Sequence, residues 1–273
     1  MMIQSVPLPD DAERLGLIAR LRHRLAMHVP VSPFNATSAA PAVSFTFDDV
    51  PDSAATQGAA MMEEHGARAT YYVAGSMLDT RVDHWRVLDA DMVVNLHVRG
   101  HEIGCHSHSH ERADLITCER LQADILRNHA LLKSIEPSLP LNNFAYPFGI
   151  GTMAWKRRLK KYFRSSRSVR PHLNHGRMDA QYLNALPLTG RQIDAGGIDR
   201  AYAEAARRGA WLIFYSHDVT ARPSDYGCNP GLLRHALRAA ERFGLRIETV
   251  NSALTRIGSR LSQQVWLLVI PLI

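Results

Sequence analysis

Asp48 and Asp49 stand side by side at the end of the run Phe45-Thr46-Phe47, and His106 and His110 are four apart in Cys105-His106-Ser107-His108-Ser109-His110. Two imidazoles and a carboxylate form a ligand set for one divalent cation. Three protein ligands leave positions open, as in a catalytic site rather than a closed structural one. On this reading His106, His110 and Asp49 hold the metal, with zinc the ion that mixed nitrogen and oxygen ligands suit. Asp48 stands beside it as a base that takes a proton from water. On a helical turn His106 and His110 share a face. On a strand His106, His108 and His110 share one instead, and the spacing permits both geometries. A third piece, Phe214-Tyr215-Ser216-His217-Asp218, ends an apolar run and offers an acid for a leaving group.

An Asp-Asp pair alone usually ends a strand or caps a helix, and a His-x-x-x-His pair alone is usually surface or core. Position gives this combination its weight. The aspartates end the apolar run Val43–Phe47 and the histidines follow Glu102–Cys105. Strand exits are where the active sites of α/β barrels gather. Further strand-like runs lie near 69–73, 143–146, 164–169, 183–188, 211–216 and 245–250. Helical runs lie near 54–64, 118–134, 199–208 and 231–243, with Gly66, Gly209 and Gly244 placed to end three of them. Strand alternating with helix implies a parallel sheet with helices outside, an α/β fold.

At these residues the chain resembles the polysaccharide deacetylases with a NodB homology domain, carbohydrate esterase family 4. Thr46-Phe47-Asp48-Asp49 resembles the family's first motif. Gly100-His101-Glu102-Ile103-Gly104 followed by His106-Ser107-His108-Ser109-His110 resembles the second. Phe144-Ala145-Tyr146-Pro147-Phe148-Gly149 resembles the third, and Leu212 to His217 the last. The likeness runs from about Ala42 to Leu254. It implies a distorted, incomplete (β/α) barrel of the NodB type. It also implies Asp49, His106 and His110 as ligands, Asp48 as base and His217 as general acid. From the third motif it implies the Phe148 backbone N–H as oxyanion donor and Tyr146 as a substrate contact.

Two positions depart from the family pattern. The third-motif arginine that orients the base aspartate is replaced by Ala145, and no Asp-x-Trp pair occurs between Pro187 and Asp199. Arg191 and Asp194 are the candidates to substitute, Arg191 orienting Asp48 and Asp194 supporting His217. Asp218 is not chosen as that partner, because consecutive strand residues point to opposite faces.

The chain has 273 residues, 46% hydrophobic and 21% charged, enough for one large α/β domain. Three cysteines, with no Cys-x-x-Cys pair, argue for reduced thiols. The expected organisation is an N-terminal helical extension and linker over 1–41, the NodB-like domain over 42–255, and an apolar tail over 256–273. Leu15, Ile18, Leu21 and Leu25 recur at helical spacing, with Asp10 or Asp11 as the cap. This stripe is expected to pack on the barrel. The closing run Trp266–Ile273 is too short to span a bilayer, which needs about 20 apolar residues. It is expected to cover the barrel's open edge. No secretory signal opens the chain, so a cytoplasmic enzyme is expected. Lys156 to Arg170 holds eight Lys or Arg and no acid, a run that suits a solvated helix face as well as an anion-binding groove. It carries no nucleic-acid fold signature, and neither a nucleic-acid partner nor membrane-surface association is expected.

The expected activity is hydrolysis of N-acetyl groups from an amino-sugar oligomer, polysaccharide or glycoconjugate, using one divalent metal ion. The alternatives are hydrolysis of another C–N bond, in a small amide or cyclic ureide, and a non-catalytic glycan-binding or biosynthetic accessory role.

Overall fold

The computed structural model of the chain describes residues 17–37, 40–112 and 114–267. In chain order the strands are β1 (Pro33–Asn35), β2 (Ala42–Asp48), β3 (Thr70–Val73), β4 (Glu102–Cys105), β5 (Asn143–Ala145), β6 (Ser165–Arg167), β7 (Arg177–Asp179), β8 (Leu186–Pro187), β9 (Trp211–Ser216) and β10 (Arg246–Ile247). The helices are α1 (Leu17–His28), α2 (Ala59–Glu64), α3 (Ala90–Val98), α4 (Cys118–Ile135), α5 (Met153–Leu159), α6 (Ala195–Arg208), α7 (Pro230–Arg242) and α8 (Val250–Leu267).

The main sheet runs β6-β5-β4-β3-β2-β9-β8, with β10 beside the first residues of β2, and its pairings are parallel. It curls into a half-barrel. Arg167 of edge strand β6 makes an isolated bridge to Leu183, which lies outside the other edge strand β8, so among the described residues no strand ladder closes the barrel. β2 is the central strand, and all seven of its residues are buried. Ser44 and Thr46 alternate with Val43, Phe45 and Phe47, and their hydroxyls are buried because both are paired: Thr46 Oγ1 donates to the Phe214 carbonyl at 2.8 Å and Ser44 Oγ accepts the Trp211 indole N–H at 2.9 Å.

Short polar residues start the outer helices. Asp89, Thr117, Asp194 and Asn229 each accept a backbone N–H in the first turn of α3, α4, α6 and α7. Gly209 ends α6 in the left-handed conformation. Three helices, α3, α5 and α8, and the small antiparallel sheet β1–β7 were not expected from sequence. The boundary expected at 255/256 falls inside α8.

The N-terminal helix docks, but not by its leucines. Leu21 and Leu25 are 61% and 47% exposed, whereas His23 and Ala26 are buried. A buried lysine decides the face. Lys156 Nζ donates to the carbonyls of Ala26 and Val29 at 2.6 Å each, and pairs with Asp179 at 2.6 Å. Asp179 in turn accepts the N–H groups of Val31 and Ser32. This clip takes up the last carbonyls of α1, which have no partner within the helix. The caps expected at Asp10 and Asp11, and residues 268–273 of the apolar tail, lie outside the described residues. Among the described residues no helix is long and apolar enough to cross a membrane.

Candidate metal centre and active site

Every residue of the candidate site sits at the C-terminal end of a parallel strand. Asp48 closes β2 and Asp49 follows it, His106 and His110 follow β4, Phe148 follows β5, Arg167 closes β6 and His217 follows β9. This is the end at which open and closed α/β sheets hold their ligands. Seven non-glycine residues have positive φ among the described residues. Five of them, Asp49, Val50, Ser107, His110 and Phe148, lie in the three loops that carry this site. For a β-branched residue such as Val50 that conformation is costly, and strain of this kind concentrates at functional sites.

The segment after β4 is neither the helix nor the strand that the histidine spacing allowed. It is a tight loop in which Ser107 and His110 both take left-handed backbone, and the His110 N–H bonds Ser107 Oγ at 3.1 Å. The loop is tied to α4, since Asp124 accepts the N–H groups of His108 and Ser109 and the Ser109 hydroxyl. His106 and His110 thereby converge on one carboxylate, with Nε2 atoms 3.5 Å and 3.1 Å from Asp49 Oδ1. His108 turns elsewhere. A Cβ on Gly75 would come within 2.8 Å of its Nδ1.

These three side chains fit a divalent cation. Their ligand atoms lie within 4.8 Å of one another. Asp49 Oδ1 is buried without a hydrogen-bond partner, a position that only a cation or a donor would satisfy. His106 Nδ1 faces the Ala145 carbonyl at 2.9 Å. A carbonyl can only accept, so Nδ1 carries the proton and the Nε2 lone pair points into the site, the arrangement usual for a metal ligand. Burial drives both imidazoles towards their neutral form, down to about 3 at His106 and about 4 at His110, and raises Asp49 to about 6. Neutral imidazole is the metal-binding form.

Asp48, one residue away, has a different environment. Burial opposes its ionisation, but the Arg167 guanidinium, helped by His106 and His217, outweighs this and holds its pKa below the ordinary value. Arg167 Nη2 donates to both carboxylate oxygens, at 2.5 Å to Oδ1. The guanidinium is fully buried and lies between the rings of Tyr72 and Tyr215, 5.3 Å and 5.4 Å from their centroids. Arg167 is the residue that sequence reasoning missed. It belongs to the basic run 156–170, and it pairs in register with Ala145 of β5, the position at which an arginine was expected.

Three expected placements need correction. Arg191 does not reach Asp48. It makes an exposed ion pair with Asp225 at 2.9 Å. Asp194 does not support His217, because its carboxylate caps α6 through the Gly197 N–H. Tyr146 does not face the mouth. Its buried hydroxyl donates to the Gln181 carbonyl, and its ring packs on Phe144 and Tyr182. Alternation along the chain puts Ala145 and Tyr146 on opposite sides, so Tyr146 falls into the outer core. The basic run also divides. Lys156 and Arg167 are buried in ion pairs, so these two belong neither to a solvated face nor to an open groove.

His217 Nε2 lies 3.8 Å from Asp49 Oδ2, on the oxygen not facing His106 and His110. Its ring is flanked by Trp85 and Tyr226, at 5.6 Å and 5.7 Å. Phe148 stands over His110 at 4.7 Å, and its left-handed backbone is followed by Gly149. A Cβ there would lie 2.1 Å from Val169 Cγ2, so the turn needs glycine. Cys105 is buried and its thiol is pushed up to about 12, which makes it a packing residue rather than a ligand or nucleophile.

Residues 35–163 match the family model "Polysaccharide deacetylase". A search of curated proteins gives no match to this sequence. Among solved structures, the chitin deacetylase of Colletotrichum lindemuthianum is 15% identical with a TM-score of 0.60, over 81% of this chain and 90% of that one. A peptidoglycan deacetylase of Bacillus subtilis is 17% identical with a TM-score of 0.54, over 83% and 96%. A family 4 pseudoenzyme of Bacillus anthracis is similar too, 11% identical with a TM-score of 0.56, over 83% and 69%. The shared fold therefore does not by itself assign activity, which rests on the site. The chain thus has the fold of these deacetylase structures, and its residues 35–163 are similar to the polysaccharide deacetylase family.

Proposed function

We propose that the protein is a metal-dependent hydrolase that removes N-acetyl groups from an amino-sugar oligomer, polysaccharide or glycoconjugate. The observation that carries this reading is the division of labour between adjacent aspartates. Asp48 is held ionised by Arg167, while Asp49 meets His106 and His110 within ligand distance of one another. A divalent cation held by Asp49, His106 and His110, zinc foremost, would polarise the acetamide carbonyl and lower the pKa of water beside it.

The remaining steps belong to the chain's own groups. Asp48 accepts a proton from the attacking water at its carboxylate, and Arg167 keeps that carboxylate charged and aimed. The backbone N–H of Phe148 donates to the oxygen that gains charge as the carbonyl becomes tetrahedral. His217, on the far oxygen of Asp49, delivers a proton to the amine nitrogen as the C–N bond breaks. The products are acetate and a free amine. The relatives named above act on chitin and peptidoglycan, which favours an N-acetylated glycan over a small amide.

The test is mass spectrometry of N-acetylglucosamine oligomers incubated with zinc-loaded protein. The expected result is a loss of about 42 mass units per acetyl group, with acetate released in step, as metal-assisted amide hydrolysis requires. Turnover of a small amide or cyclic ureide with no acetate from any amino sugar would replace the substrate class. Glycan binding without turnover would make the protein an accessory binder.

A further inference from the structure

We propose that Asp218 is the positioning residue for His217, acting through Ser224 and Tyr226, with the Tyr226 backbone carbonyl in the place of a carboxylate partner. The proposal rests on the deacetylase reading for its catalytic consequence and on the geometry of residues 217–228 for everything else. His217 makes two contacts with one oxygen. Its backbone N–H and its ring Nδ1 both lie 3.2 Å from Tyr226 O. A carbonyl oxygen has two lone pairs and can take both. Since it cannot donate, Nδ1 carries the proton, and Nε2 is the atom left to face Asp49.

What holds Tyr226 in that place is a relay that starts at Asp218. Asp218 is buried, and its carboxylate accepts the Ser224 N–H at 2.9 Å and the Ser224 hydroxyl at 2.6 Å. The same Ser224 Oγ accepts the Tyr226 N–H at 3.2 Å. The two arms are then closed by backbone, with Cys228 N–H on Asp218 O at 2.9 Å. Gly227 is required for the closure. A Cβ there would lie 2.1 Å from Asp218 Oδ1 and 2.5 Å from Asp218 O. Asp218 therefore faces away from the active site and still determines where the His217 ring sits.

The tautomer has a chemical meaning. A general acid at this position donates the Nε2 proton to the departing amine nitrogen. The C–N bonding pair leaves with the amine, and the ring is left neutral with its proton on Nδ1. Nδ1–H donates to the Tyr226 carbonyl both in the protonated ring before transfer and in the neutral ring after it, so the relay keeps Nε2 as the donating atom throughout.

The experiment is a long-range 15N–1H correlation spectrum of the full-length protein, with the His217 ring assigned by its loss in His217→Gln. The expected wild-type neutral ring is the Nδ1–H tautomer, and Tyr226→Phe, which keeps the carbonyl, retains it. Ser224→Ala and Asp218→Asn should mix the tautomers and lower kcat by roughly 10- to 100-fold, the scale of a small misplacement. KM and zinc content should stay unchanged, and a substrate with a better leaving group should narrow the deficit. Ser224→Ala carries the test if Asp218→Asn does not fold. An Nε2–H tautomer in the wild type, or wild-type kcat in a folded Ser224→Ala, overturns the proposal. A wild-type Nδ1–H tautomer in a protein that deacetylates nothing supports the positioning relay and removes the deacetylase reading instead.

Discussion

Arg167 closes β6 directly beside Ala145 of β5, and from there its guanidinium grips the carboxylate of Asp48 at the end of β2. Partners in register on parallel strands present their side chains to the same face. An arginine at 167 can therefore serve a carboxylate that an arginine at 145 would otherwise reach. The buried pair lies between two tyrosine rings, which suits the planar guanidinium and would not suit lysine.

Arg167→Ala is expected to lower kcat by roughly 10²-fold or more, because the base loses its orientation. It should also destabilise the fold by about 3–5 kcal/mol, since it leaves a buried carboxylate uncompensated. The double variant Ala145→Arg/Arg167→Ala should recover part of both losses. Steady-state kinetics and urea unfolding of the three proteins check this, and a double variant no better than the single one would refute equivalence of the two strand positions.

Asp48→Asn should retain its zinc and lose turnover by roughly 10²–10⁴-fold, the usual contribution of a general base. Asp49→Ala should lose zinc as well. Atomic absorption on both variants, alongside acetate release, separates the roles. Equal metal loss would mean that the two carboxylates chelate together.

His106→Ala and His110→Ala should each strip the metal, whereas His108→Ala should keep it, because its ring packs near Gly75 and not at Asp49. Chelation should abolish turnover and added zinc restore it. Zinc retained in His110→Ala and lost in His108→Ala would contradict the loop geometry.

Stability should fall as the pH drops below about 6.5, the ordinary value for histidine. His101 Nδ1 accepts the Ala69 N–H at 3.1 Å, and a ring that accepts there is neutral. Burial holds its pKa below the ordinary value against the opposing pull of Glu63. A base with a depressed folded pKa contributes stability above its unfolded pKa and loses it as the pH falls through the folded one. His101→Asn, whose side-chain oxygen can take the Ala69 N–H, should flatten the slope of urea-midpoint against pH between 7 and 5. An unchanged slope would place the acid sensitivity elsewhere.

The candidate ligand set was legible because chelation needs few residue types and because Asp48-Asp49 and His106 to His110 sit at strand exits that the apolar runs reveal. The strands β2, β3, β4, β5 and β9 stood out for the same reason, each being a short run buried on both faces. The packed face of α1 was not legible. Its leucine periodicity pointed outward, since docking is decided by the Lys156 clip across more than a hundred residues.

The sequence by itself determined which chemistry was available: two carboxylates, two imidazoles four residues apart and a strand-end histidine, in an α/β order that brings strand ends together. Only the tertiary structure decided which basic residue serves Asp48. Arg167 is one of eight positive charges in a single run, and nothing local distinguishes it. Its role comes from the register of β5 against β6, a backbone hydrogen-bond relation between distant segments. The same holds at His217, whose ring partner is a main-chain carbonyl. A carbonyl is present at every residue, so no side-chain pattern can announce it, and only the loop held by Asp218 and Ser224 puts this one within reach.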